Sequence, residues 1–215
     1  MDIPVKKNQE YEVDIIDNGF EGEGIAKIDN YTIFIPGAIK GERIKILIVK
    51  VLSSYAYGKI IEIIKKSEYR RETDCSTYKR CGGCDLRHID YDETLNIKRD
   101  MVQSLVNKSL KYKIQVNDTI GMTNPYYYRN KLIYPVGTNK ETGKIFAGIY
   151  ANRTHDIIEP GVCFIQDKES QDIVEFIINI CNKYKITAYD EKDKKGLLRH
   201  ILIKKGFKTN QIMVV

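Results

Sequence analysis

Residues 21–50 read EGEGIAKIDNYTIFIPGAIKGERIKILIVK, and the alternation inside them decides the fold of the first part of the chain. Ile33 and Ile35 flank Phe34, and Ile44, Ile46 and Ile48 alternate with Lys45 and Leu47, the period of two that places every other side chain on one face of a strand. Just upstream, Tyr11, Val13 and Ile15 alternate with Glu12 and Asp14. Turn-forming residues punctuate these runs at Asn18-Gly19, Gly22 to Gly24, Asp29-Asn30, Pro36-Gly37 and Gly41. About five short strands between Tyr11 and Ile64, with no helical period among them, predict a small all-β, OB-like or SH3-like barrel over residues 1–66. A plain β-meander without a ligand has the same pattern, so the barrel by itself assigns no function.

Outward from this segment the pattern changes. A charged stretch, KKSEYRRETD, leads into a cysteine cluster, after which Asp90 and Glu93 form a capping-box signal for a helix running to about Leu110. Its apolar stripe is Leu95, Met101, Val102, Leu105 and Val106. A second helix is predicted from about Asp167 to Tyr184, with Ile173, Ile177, Ile180, Cys181 and Tyr184 on one face. Strand-like runs occupy Arg129 to Val136, Lys144 to Tyr150, Leu198 to Lys204 and Gln211 to Val215. An α+β domain follows for residues 67–90 and 116–215, with residues 91–115 as a separate helical segment. The final run, Gln211-Ile-Met-Val-Val215, is apolar where a terminus is usually polar, so the chain is expected to be a piece of a longer protein.

The 215 residues, 42% hydrophobic and 30% charged, suffice for two packed units and exclude a disordered chain. No apolar run approaches the roughly 18 residues that a membrane span requires. The start, MDIPVKKNQEYEVD, has no apolar signal core, so no membrane association and a cytoplasmic location are expected. Net charge is +6 and unevenly placed: residues 1–74 hold 12 Lys+Arg against 13 Asp+Glu, and residues 75–215 hold 23 against 16. A basic second part fits a polyanionic partner, because lysine and arginine release counterions from phosphates.

Five cysteines, Cys75, Cys81, Cys84, Cys163 and Cys181, belong to a chain expected in a reducing compartment, where a close cluster points to metal or redox chemistry. Cys75-x5-Cys81-Gly-Gly-Cys84 places three thiols on one loop. Cys181 lies on a helical stripe and reads as a small buried hydrophobe, so Cys163, after Pro160-Gly161, is the better fourth ligand. A triplet completed by one distant cysteine favours a [4Fe-4S] cluster over zinc, with His88 a rival fourth ligand in a zinc site.

The segment CSTYKRCGGCDLRHIDYDETLNIKRDMV resembles the cluster segment of the RumA and TrmA type of RNA (uracil-5-)-methyltransferases, in particular the iron-sulfur branch that acts on 23S rRNA. EGEGIAKIDNYTIFIPGAIKGERIKILIVK is similar to their N-terminal TRAM domain. PYYYRNKLIYPV, GIYANRTHDIIEPGVCFIQ and GLLRHILIKKGFKTNQIMVV look like successive motifs of their central region. The resemblance implies that Cys75, Cys81, Cys84 and Cys163 are the four cluster ligands. It also implies methyl transfer from S-adenosylmethionine to carbon 5 of a uridine, through a cysteine that adds to carbon 6 and a carboxylate base.

Both catalytic residues of that family lie in a Rossmann-like domain after this region, and no glycine-rich strand-to-helix loop stands in for it here. Three expectations follow: the Rossmann-like methyltransferase domain is absent from the chain, no catalytic residue lies within it, and the chain is inactive alone. The helix of residues 91–115, whose family counterpart packs on the catalytic domain, should then expose Leu95, Met101, Val102 and Leu105 or have them covered by another molecule. RNA contacts are expected from Tyr128, Arg129, Asn130 and Lys131, a mix of rings, cations and amide, and from Arg153 and Arg199, with His155 and His200 beside them. Lys192, Lys194 and Lys195 alternate with acids and read as a solvated turn. The complete enzyme is expected to be a monomer. A rival reading is a standalone, non-catalytic RNA-binding protein with a cluster or zinc site.

Overall fold

In a computed structural model describing residues 3–215, the alternation of the first segment becomes a barrel wall. Its strands are β1 (Glu10–Asp14), β2 (Asp17–Asn18), β3 (Gly24–Ile28), β4 (Tyr31–Ile35), β5 (Arg43–Val51) and β6 (Tyr55–Lys65). They form one sheet in the order β1-β5-β6-β4-β3-β2, antiparallel except for the parallel pair β4 and β6. Only Ile15 and Ile16 separate β1 from β2, so the two ends of that order are one stretch of chain. Ile15 N–H donates to the Glu42 carbonyl at 2.8 Å and Ile16 N–H to the Ile25 carbonyl at 2.9 Å, which closes the sheet on itself and leaves little free edge. Ile33, Ile35, Ile44, Ile46 and Ile48 point inward and are fully buried, each contributing about 2 kcal/mol by removal of apolar surface from water.

Two compact units emerge: residues to Thr73 together with Asp85–Gly121, and Asp74–Cys84 together with Met122–Val215. These differ from the boundaries read from the sequence, because the helix α1 (Tyr91–Ser109) and its approach fall with the barrel. Ile97 of α1 is buried with Ile39 and Ile89, and Leu86 and Met101 pack against them. The chain after α1 folds back along it: Thr119 Oγ1 donates to the Leu95 carbonyl at 2.9 Å, and Val116 N–H to Gln103 Oε1 at 2.8 Å. The apolar stripe expected to stand open is therefore divided. Leu95 and Met101 are half-buried within their own unit, whereas Val102 and Leu105 are 48% and 47% exposed.

The second unit is α+β. Its strands are β7 (Lys131–Thr138), β8 (Ile145–Ala147), β9 (Ile149–Tyr150), β10 (Ile157–Ile158), β11 (His200–Lys205) and β12 (Ile212–Val214), with α2 (Lys168–Lys183) between β10 and β11. Four strands make an antiparallel sheet in the order β12-β11-β7-β8, and β9 pairs with β10. Val174 of α2 is buried with Leu132, Tyr134, Val136, Ile145, Ile201 and Ile203 of the sheet, and Ile173, Ile177, Ile178 and Cys181 pack around them. Cys181 thus takes the core position read for it. The apolar run Gln211–Val215 contains β12, and Val215 exchanges two backbone hydrogen bonds with Leu202. No helix among the described residues is long and apolar enough to cross a membrane.

Candidate functional site

The cysteine loop is shaped by its backbone. The Thr77 carbonyl accepts N–H groups from Arg80 and Cys81 at 2.9 and 2.8 Å, and the Cys75 carbonyl accepts from Tyr78 at 3.2 Å. The loop then docks on the exit of β9: Cys81 bridges Ala151, Gly82 N–H donates to the Tyr150 carbonyl, and Asn152 N–H donates to the Arg80 carbonyl at 2.8 Å. Gly83 N–H donates to Cys81 Sγ at 3.2 Å, and a Cβ on Gly83 would lie 3.2 Å from that sulfur, so a side chain there would crowd the thiol. Cys163 is fixed from α2, where the Gln171 amide accepts its N–H at 3.1 Å and donates to its carbonyl at 2.9 Å.

Cys75, Cys81, Cys84 and Cys163 share the second unit, and all are half-buried. Burial pushes the Cys81 thiol up; Cys163 and Cys75 add to this, while Gly83 N–H and the Arg129 guanidinium oppose it. Cys75 and Cys163 are therefore both within electrostatic reach of Cys81. Four thiols are the donor chemistry of iron-sulfur or zinc sites, yet the side chains do not close around a common point: among the described residues no three His, Cys, Asp or Glu side chains form a group that could hold a metal. His88 is 4% exposed in the first unit, where its surroundings are Arg70 and Glu42.

Arg129, expected to face RNA, belongs to this cysteine corner. Its N–H donates to the Ile165 carbonyl at 2.8 Å, and its guanidinium acts on both Cys81 and Tyr134. Tyr134 donates to Gln166 Oε1 at 2.6 Å, and burial pushes its phenol well above the ordinary range, Cys163 adding to the effect. The neighbouring residues face water: Tyr128 is 44% exposed, and Asn130 and Lys131 are exposed. Tyr126 and Tyr127 pack their rings on Phe164, each at 6.4 Å, and Lys168 Nζ lies 4.5 Å over the Tyr127 ring.

Arg153 sits exposed on the turn between β9 and β10, with φ at 57°. Arg199 belongs to a second cluster. It reaches Glu191 at 2.8 Å and lies 5.7 Å from the Tyr189 ring centroid. The Tyr150 ring meets His155 edge-on at 5.8 Å, and its hydroxyl is 3.5 Å from His200 Nε2. Arg199 first, then His155 and His200, hold the Glu191 carboxyl below its usual range. Tyr150, Tyr189 and Glu191 were not singled out from the sequence; the repeated tyrosines beside histidine and arginine motifs were the available signal.

Residues 4–61 match the family model of the TRAM domain. Over that stretch the barrel is similar to TRAM domains. Over 216 residues the chain is 48% identical to an uncharacterized RNA methyltransferase of Clostridium acetobutylicum, with 99% of this chain and 46% of that protein covered. A Staphylococcus aureus protein of the same description is 40% identical over 202 residues, with 94% and 44% covered. The chain spans about half the length of the curated relatives it matches. Among solved structures, the tRNA (uracil-54, C5)-methyltransferase of Pyrococcus abyssi in complex with S-adenosyl-L-homocysteine matches with a TM-score of 0.63 at 20% identity, covering 94% of this chain and 44% of that one. That likeness establishes the shared fold beyond the TRAM-like stretch.

These matches overturn the expected absence of a Rossmann-like methyltransferase domain. The relatives that carry this stretch are named as RNA methyltransferases and are about twice its length. The apolar run at Val215, read as the sign of a longer protein, pairs as β12 with β11. The expectation of inactivity rested on the same absence and is dropped with it.

Proposed function

We propose that the protein is an S-adenosylmethionine-dependent RNA (uracil-5-)-methyltransferase that makes 5-methyluridine in 23S rRNA, with residues 1–215 serving RNA recognition. The observation that carries this reading is the match, along 99% of the chain, to a relative named as an RNA methyltransferase. Charge supports it: the second unit holds 17 Lys+Arg against 11 Asp+Glu, and the first unit 18 against 18. The second unit also exposes rings beside cations at Tyr128, Asn130 and Lys131 and at Tyr150, His155 and Arg199, the mix that holds splayed bases and phosphates. A uridine inside a stem must leave its stack to be methylated, at a cost of about a few kcal/mol that such contacts offset. The enzyme acts as a cytoplasmic monomer.

Cys75, Cys81, Cys84 and Cys163 would hold a [4Fe-4S] cluster, supported by four half-buried thiols in one unit and by the influence of Cys75 and Cys163 on Cys81. When bound, the cluster supplies iron–thiolate links that tie the loop of Cys75 to the segment of Cys163. Arg129 lies against this corner and would hold the adjoining Tyr128 and Asn130 in place.

The test uses the full-length protein with methyl-labelled S-adenosylmethionine and total RNA from a strain lacking the gene. Label in 23S rRNA, recovered as 5-methyluridine, is expected. Label confined to tRNA overturns the rRNA assignment, and label in no RNA overturns the activity. Brown protein with about four irons per chain is expected for the cluster; colourless protein with stoichiometric zinc overturns it.

A further inference from the structure

We propose that the outer face of the TRAM-like barrel is a stacking platform for unpaired RNA bases, formed by Phe34, Tyr55 and Tyr57 and edged by Lys27, Lys50 and Lys59. It rests on the reading of RNA as the partner, and names where unpaired bases lie on the first unit.

The sheet register brings these residues together. Ile25 pairs with Phe34, Phe34 with Tyr57, and Tyr57 with Lys50, so one row crosses β3, β4, β6 and β5. The next row runs Lys27, Thr32 and Tyr55. Directly paired residues share a face, and here it is the outer one, because Ala26, Ile33 and Ala56 between them are buried in the barrel. The three rings touch: Phe34 to Tyr55 at 5.5 Å, Phe34 to Tyr57 at 6.0 Å and Tyr55 to Tyr57 at 5.6 Å, with each ring half-buried.

The charge around the rings is one-sided. None of the seven positions in the two rows is acidic. Lys59 stands two residues beyond Tyr57 on β6, also exposed, and no carboxylate pairs with Lys27, Lys50 or Lys59 among the described residues. On the β1–β5 side of the same barrel the cations are neutralised: Lys45 meets Glu10 at 2.7 Å, and Arg43 meets Glu12 at 3.4 Å and Asp14 at 4.0 Å. The barrel's balanced total thus conceals one paired face and one face with rings and uncompensated lysines. Rings that accept any base, beside cations that follow the backbone, are the construction of a single-strand binding surface.

The full-length protein is titrated with a fluorescein-labelled 12-nucleotide oligouridine and with an abasic chain of equal phosphate count. Wild type should prefer the oligouridine. Phe34→Leu and Tyr57→Leu, which keep an apolar side chain on the strand, should each lose about tenfold in oligouridine affinity and approach the abasic value. Lys27→Gln and Lys59→Gln should weaken both ligands alike. Leucine variants with unchanged circular dichroism and wild-type oligouridine affinity overturn the platform, leaving the rings to the sheet or to a protein surface. Wild type that binds rRNA but not the oligouridine also overturns it, whereas wild type that binds no RNA overturns the functional reading on which it rests.

Discussion

Glu42 is 1% exposed and would be costly there as a lone charge. Its two oxygens take the Arg70 guanidinium at 2.5 and 2.7 Å, with N–H groups of Ile39 at 2.9 Å and Ser67 at 3.3 Å. Burial alone would raise its pKa; these partners outweigh it and leave the carboxyl below its ordinary 4.5. The stabilisation is then complete above pH 4.5 and is lost as the pH falls through the folded value. His88 titrates in a different window. Burial first, and then Arg70, hold it down to about 4 against the opposing pull of Glu42, from an ordinary 6.5. Between pH 6.5 and 4 the unfolded chain takes up a proton that the folded one refuses, so stability falls with pH there, by about 3 kcal/mol at most. Urea unfolding at a series of pH values should separate the two. His88→Gln should flatten the upper window and keep the loss below about pH 4.5. Glu42→Gln should remove the lower loss and start about 3 kcal/mol less stable, because Arg70 keeps its charge without its partner.

At the scale of the element, α2 depends on Asp167. The carboxylate accepts from Ser170 N–H at 2.9 Å, from Ser170 Oγ at 3.0 Å and from Lys205 Nζ at 3.0 Å, so one residue caps the helix and joins it to β11. Asp167→Ala should cost about 1–2 kcal/mol in thermal or urea unfolding, while Asp167→Asn, which keeps an accepting oxygen, should recover most of that. The position of this helix was legible: Asp167 and Tyr184 were read as its limits and are its caps. Its buried face was less so. Ile173, Val174, Phe176, Ile177, Ile178 and Ile180 surround most of the helix, and only the sheet decides that Val174 goes in while Phe176 and Tyr184 are 65% and 68% exposed. The capping box predicted for α1 fails for a related reason. Asp90 does cap, through Asp92 N–H, but its own N–H already donates to the Tyr69 carbonyl, so Glu93 instead accepts from Asn96. β6 was not singled out because register shifts against β5 break its alternation.

At the scale of the whole molecule, the cysteine spacing was legible from the sequence, whereas the placing of Arg129 beside the thiols was not, since no periodicity reports which face of an irregular segment meets a distant loop. The segregation of charge sharpened in the same way. The division read at residue 74 becomes a neutral first unit and a second unit with the whole excess of +6. A partner bound through that excess should show affinity falling linearly in log–log form with salt, each phosphate contact on a single strand contributing about 0.7 to the slope. Lys131 and Arg153 are exposed in the motifs assigned to RNA, so Lys131→Gln and Arg153→Gln should each lower the slope by about 0.7 and weaken different RNA sequences alike. Lys192, Lys194 and Lys195 occupy a turn whose backbone is organised by Asp190, which accepts N–H groups from Lys192 at 2.7 Å and Asp193 at 3.1 Å. If that turn is only solvated, replacing all three lysines by glutamine leaves the slope unchanged although it removes more charge than the other pair. A slope that follows total charge, whichever lysines are removed, would mean that the second unit attracts RNA through its general field and that Lys131 and Arg153 make no particular contact.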